Sequence, residues 1–173
     1  MAALLLLGLG PARAAGPADL PLPPTGVADA VGLLDADAED ALARAVAGVE
    51  GAHVVVVLAP FVAPETPESY ADLMLATWFP DGDGVMFLLS KRERRLVARA
   101  GTAVEGLDAR FLSVMAQEAM VPRLLDGDVA GALLAGVARV EERLDDHGPS
   151  PAWVTVGLGL LVATLVVGRE LRA

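Results

Sequence analysis

The 173 residues, less an apolar stretch at each end, suffice for one domain of ordinary size and not for two. A formal charge of −10, carried almost wholly between Val27 and His147, argues against nucleic acid as a partner. The absence of cysteine removes disulfide frameworks, thiolate nucleophiles and cysteine-based zinc sites together.

Residues Ala2 to Leu9 form an unbroken apolar run, followed by Gly10-Pro11 and the small-x-small series Ala12-Arg13-Ala14, so residues 1–14 are expected to be a signal peptide cleaved after Ala14. Residues 15–26, with Pro17, Pro21, Pro23 and Pro24, read as an extended linker. The folded domain is expected over 27–146. Asp35 supplies a cap for a first helix, Asp37, Glu39 and Asp40 suit its positive end, and Leu42, Val46 and Val49 form its buried stripe. His53 to Ala59 is a continuous aliphatic run, the pattern of a strand covered on both faces. Thr66-Pro67 opens a second helix with Tyr70, Leu73, Met74 and Trp78 at helical spacing, and Pro80-Asp81-Gly82-Asp83-Gly84 stops it.

Gly84 to Ser90 is the next apolar strand, and the helix between it and the first implies a right-handed parallel crossover. Arg95 to Ala100 alternates in polarity and returns antiparallel after the charged turn Lys91 to Arg94, which reads as a solvated sheet edge and not as a phosphate-binding patch. Asp108 caps a helix through Phe111, Val114, Met115 and Glu118, with Pro122 near its end. The last domain helix is expected from about Val129 to Leu144, with Leu133, Leu134, Val137, Val140 and Leu144 as its stripe. After a linker at 147–152, residues 153–168 are uncharged, open on Trp153 and close on Arg169 and Arg172, the signature of a short transmembrane helix. The positive-inside tendency puts the tail 169–173 in the cytoplasm and the domain on the extracytoplasmic side. The fold class is therefore α/β: a mixed sheet flanked by helices, made of a βαβ crossover and an antiparallel hairpin, followed by one transmembrane helix.

Nucleophile-elbow, phosphate-loop and paired-histidine zinc motifs are missing from the sequence. His147 falls in the linker, and His53, at the head of a buried strand, reads as a structural imidazole. The polar constellation with a mechanism is acidic: Asp81 and Asp83 before one strand, Glu105 and Asp108 after the hairpin. Antiparallel pairing would set Gly101 beside Gly84 and bring all four carboxylates to one edge. Such a set would hold a hard cation such as calcium, with Gly82, Gly84 and Gly106 letting backbone carbonyls approach. The alternative is a helix cap plus a glycine turn. An EF-hand is excluded, because Met86 stands where its invariant glycine belongs and Arg92 at its twelfth place.

The ordered set of Asp29 with Leu34, His53 to Leu58, Ser69-Tyr70-Ala71 through Trp78, Asp83-Gly84-Val85, Gly101, Glu105-Gly106, Asp108, Met120-Val121-Pro122 and Gly127-Asp128 resembles the TPM domain family. The resemblance implies an exported, membrane-anchored domain and, as in some members, calcium binding and acid phosphatase activity. Two readings follow. The first is a non-catalytic accessory or modulating module of an envelope complex, with calcium as its ion. It is favoured by the abbreviated stretches Trp78 to Gly84 and Gly101 to Asp108, and by Ser90, Thr102 and Ser113 having no histidine nearby in sequence. The alternative is a metal-assisted acid phosphatase for small phosphomonoesters, its metal on Asp81, Asp83, Glu105 and Asp108.

Overall fold

The computed structural model describes residues 21–147. The expected signal peptide, most of the proline-rich linker, and the transmembrane segment and tail lie outside the described residues. Among the described residues no helix is long and apolar enough to cross a membrane.

The chain forms β1 (Val27–Asp29), α1 (Ala36–Gly48), β2 (His53–Ala59), α2 (Pro67–Trp78), β3 (Gly84–Ser90), β4 (Arg95–Ala100), α3 (Ala109–Met115), a π-helical turn (Ala116–Met120), α4 (Val121–Leu125) and α5 (Val129–His147). The caps are those the sequence supplies. Asp35 accepts from Ala38 N at 2.8 Å, Thr66 from Ser69 N at 3.1 Å ahead of Pro67, and Asp108 from Phe111 N at 2.7 Å. Each satisfies a backbone donor that a helix leaves free at its start.

The sheet order is β1-β2-β3-β4. β1 runs parallel to β2, and β2 parallel to β3 from His53↔Gly84 to Ala59↔Ser90, whereas β3 and β4 are antiparallel from Val85↔Ala100 to Ser90↔Arg95. The period of two in a strand sorts the β2 run onto two layers. Val54, Val56 and Leu58 join Val85, Phe87 and Ala98 beneath α1, α3 and α5, while Val55, Val57 and Ala59 join Met86, Leu88 and Val97 beneath α2. That is the mixed sheet flanked by helices which the residue pattern implies.

Three details differ from expectation. β1 was not anticipated, because three residues carry no periodicity; it forms as an edge added to β2, and Val27 is buried. Leu73 and Val114, apolar residues at helical spacing on their helices, are 41% and 46% exposed. The helix after Asp108 is not continuous: Val121 N reaches back to Ala116 O, a wider turn that accommodates Pro122, which cannot donate to the ladder, and that seats buried Met120 against α5.

Asp29, at the end of β1, ties down the loop into α1. Its Oδ1 accepts from Val31 N at 2.9 Å and Gly32 N at 2.8 Å, and its Oδ2 from Leu34 N at 2.8 Å. Burial pushes this carboxyl up, but the N–H groups of Leu34, Val31, Gly32 and Leu33 outweigh it and hold the group below its ordinary value. A depressed folded value stabilises above the unfolded value of about 3.9, and the gain is lost as pH falls through the folded value. Asp29→Ala is expected to cost about 2 kcal/mol in urea unfolding at neutral pH. The gap between wild type and Asp29→Asn should narrow as pH falls below about 4; a gap that does not change with pH would contradict this account.

Candidate functional site

The N-terminal end of the parallel strands gathers the segments that sequence reading singled out. Gly101 N donates to Gly84 O at 2.8 Å and Ala103 N to Gly82 O at 2.9 Å, so the loop after β4 is laced to the turn before β3. His53 N donates to Asp83 O at 2.9 Å, which brings in the start of β2. Glycine is required here for contact. A Cβ at Gly101 would lie 2.2 Å from the Gly82 carbonyl oxygen, and Gly82 itself has φ +77°.

The four predicted carboxylates therefore belong to two loops that meet, with Asp81, Glu105 and Asp108 exposed and the Asp83 side chain 43% exposed. Asp81, Asp83 and Glu105 make no ion pair with lysine or arginine among the described residues. The expected carbonyl ligands are already engaged. Gly82 O accepts from Ala103 N, Gly84 O from Gly101 N, and Gly106 O from Arg143 Nε at 3.1 Å. Asp108 spends one oxygen on its cap. Among the described residues no group of three or more histidine, aspartate or glutamate side chains is spaced to hold a metal ion. The donor chemistry suits a hard cation; the arrangement supplies pairs of loops and not an assembled cage.

His53 departs from expectation. Its backbone starts a buried strand, but its side chain is 69% exposed, because the first residue of the strand projects past the end of the sheet. The imidazole stacks on Phe79, with centroids 5.8 Å apart and planes 8° from parallel, and its Nε2 stands 3.5 Å from Asp83 Oδ2. The pair follows from register: His53 lies opposite Gly84, so Asp83 comes alongside. Both residues border an open cleft of about 940 Å³ between the segment Leu22–Gly26 and α1, where Asp40 and Arg44 also face it. No pattern along the chain points to Arg44 or Phe79 at this place, since their positions depend on how α1 and α2 dock.

Three solved structures share the fold. The N-terminal domain of a P. gingivalis protein matches with a TM-score of 0.68 at 24% identity, over 78% of this chain and 94% of its own. The N-terminal domain of a Corynebacterium glutamicum protein matches with 0.59 at 20% identity, over 72% and 83%. A protein of the psychrophile Bizionia argentinensis matches with 0.55 at 14% identity, over 70% and 88%. No curated protein matches the chain. The set of short motifs from Asp29 to Gly127-Asp128 is accounted for by a family: the TPM domain matches residues 27–143, well over half of the sequence, and the chain belongs to the TPM domain family.

Proposed function

We propose that this chain is a membrane-tethered, extracytoplasmic TPM domain that acts as a non-catalytic accessory module of an envelope complex. The observation that carries this reading is the openness of the acidic end. Its carboxylates lie in solvent, where the effective dielectric is high and fixed charges contribute little to stabilising a transition state. Among the described residues, neither Thr102 nor Ser113 makes a hydrogen bond to a histidine or carboxylate, and Ser90 Oγ is bound to Glu93 at the far end of the sheet. The anchor in this proposal is residues 153–168 and the export signal residues 1–14. Carbonate extraction should leave the full chain in the membrane fraction and release a chain truncated before Trp153; equal release of both would remove the tether from the reading.

Calcium is the ion such loops would take, through Asp81, Asp83 and Glu105, with the uncapped oxygen of Asp108. The full chain in detergent should melt a few degrees higher in millimolar calcium than in chelator, and Asp81→Asn/Asp83→Asn should abolish the rise. Equal melting temperatures would remove the ion and leave the accessory role standing. One observation favours the second reading, an acid phosphatase for small phosphomonoesters: a histidine oriented by a carboxylate, with Arg44 in the same cleft to attract an anion. Hydrolysis of p-nitrophenyl phosphate at acid pH decides between them. The accessory reading expects no turnover above background, and turnover abolished by His53→Gln would replace it with the phosphatase.

A further inference from the structure

The turn Lys91–Arg94 lies at the other end of the sheet from the acidic loops, about 20 Å away along β3 at the usual rise per residue. Both ends of the described chain leave from the acidic end. Residues 22–26 border the cleft with His53 and Asp83, and Arg143, in the last turns of α5, is bonded to Gly106 and covers the Phe111 ring at 5.0 Å. The basic turn thus lies at the end of the sheet opposite both exits.

Its charges are sorted. Arg95 is paired with Glu68 at 2.9 Å and Arg99 with Asp72 at 3.0 Å, which closes the β4 edge against α2. Glu93, the acidic residue of the turn, is folded back: it accepts from the Ser90 hydroxyl, and that bond foremost holds its carboxyl below the ordinary value. Lys91, Arg92 and Arg94 remain exposed, and none of them forms an ion pair among the described residues. Their backbone is fixed by Lys91 N donating to Ala59 O at 3.0 Å and Arg92 N to Pro60 O at 3.1 Å, and Arg94 sits at φ 49°, a conformation that glycine or asparagine adopts at less cost. Phe61, next to Pro60, is 52% exposed. The result is a cationic tip of fixed backbone, with an exposed aromatic ring beside it, on a chain of net charge −10.

We propose that Lys91, Arg92, Arg94 and Phe61 form a docking surface for an acidic polypeptide segment of a partner protein. This deepens the accessory reading and rests on it. Charge complementarity selects the occupant: on a chain of net charge −10, three unpaired cations within one four-residue turn favour an acidic partner there, so the tip also biases the orientation of docking. Phe61, next to the Pro60 carbonyl that accepts from Arg92 N, offers an exposed apolar contact beside these charges. An anionic membrane fits less well, because the proposed tether leaves from the opposite end of the sheet and holds the tip away from the bilayer.

The test uses the full chain in zwitterionic bicelles and a dye-labelled peptide of Glu-Glu-Phe repeats, read by fluorescence anisotropy beside a Lys-Lys-Phe peptide of equal length. The acidic peptide should bind and the basic one should not. K91Q/R92Q/R94Q should weaken binding at least about tenfold, F61S should weaken it by a smaller factor, and added salt should weaken the wild type more than the triple variant. Circular dichroism of each variant guards against misfolding. Unchanged affinity in the triple variant overturns the proposal. So does displacement of the peptide by phosphatidylglycerol added at constant ionic strength, which assigns the tip to lipid, or a self-association in sedimentation that the triple variant abolishes, which assigns it to a second copy. Failure here leaves the extraction and turnover results untouched, while turnover lost on His53→Gln would sink the accessory role without touching the peptide measurement.

Discussion

Gly101→Ala is expected to destabilise the domain by about 3 kcal/mol, at the upper end of what overpacking costs. The added Cβ would stand 2.2 Å from the oxygen and 2.5 Å from the carbon of the Gly82 carbonyl, and both neighbours are backbone held by other bonds. No rotamer change relieves a backbone clash; the two loops must separate. Separation would lengthen the Gly101 N to Gly84 O and Ala103 N to Gly82 O bonds, now 2.8 Å and 2.9 Å. Urea unfolding measures the loss. A cost under about 1 kcal/mol would mean that the loops are held less tightly than this geometry requires. The same variant has a functional reading. Whatever Asp81 and Asp83 do together with Glu105 and Asp108 depends on this lacing, so a calcium-induced rise in melting temperature should shrink in Gly101→Ala, whereas docking at the basic tip, at the other end of the sheet, should not change.

How much of this was legible in the sequence depends on the range of the interaction. Asp35, Thr66-Pro67 and Asp108 announce helix starts because a cap bonds only three residues on. The runs 53–59 and 84–90 announce strands because every residue in them after His53 is apolar or small, and their boundaries are those expected. β1 was not legible: its three residues gain their pairing entirely from β2. Neither was the π-helical turn, which answers to Pro122 and to the seating of Met120 against Gly136 of α5. The meeting of the acidic loops followed from assuming an antiparallel hairpin and is what the strands do. What did not follow was the use of the oxygens, since the donors that occupy Gly82 O, Gly84 O and Gly106 O come from other elements. The exposure of His53 escapes the sequence for a related reason. A strand-initial residue next to a buried run looks buried in one dimension and projects into solvent in three.

Phe79→Ala is expected to cost about 4 kcal/mol, in the range for a large aromatic removed from a core. The ring is 8% exposed, packs among the residues between the sheet and α2, and carries the His53 imidazole on its outer side. It also explains why β3 begins with glycine. A Cβ at Gly84 would fall 2.2 Å from Phe79 Cδ2, 2.5 Å from Cγ and 2.9 Å from Cβ, so Gly84→Ala alone should cost about 3 kcal/mol. The two costs should not add. With the ring gone, two of the three nearest clashes disappear and the Phe79 Cβ contact at 2.9 Å remains, so Gly84→Ala in the Phe79→Ala background should cost about 1 kcal/mol, a coupling of about 2 kcal/mol. Urea unfolding of the two single variants and the double variant reads this directly, and strict additivity would show that Gly84 is glycine for some reason other than the ring. The consequence reaches the site: without Phe79 beneath it, the imidazole loses the stack that holds Nε2 toward Asp83, leaving only a solvent-exposed pair of the kind that contributes little. If a phosphatase used His53 as its acid, Phe79→Ala would lower turnover nearly as much as His53→Gln; if the domain is an accessory, the variant loses stability and nothing else.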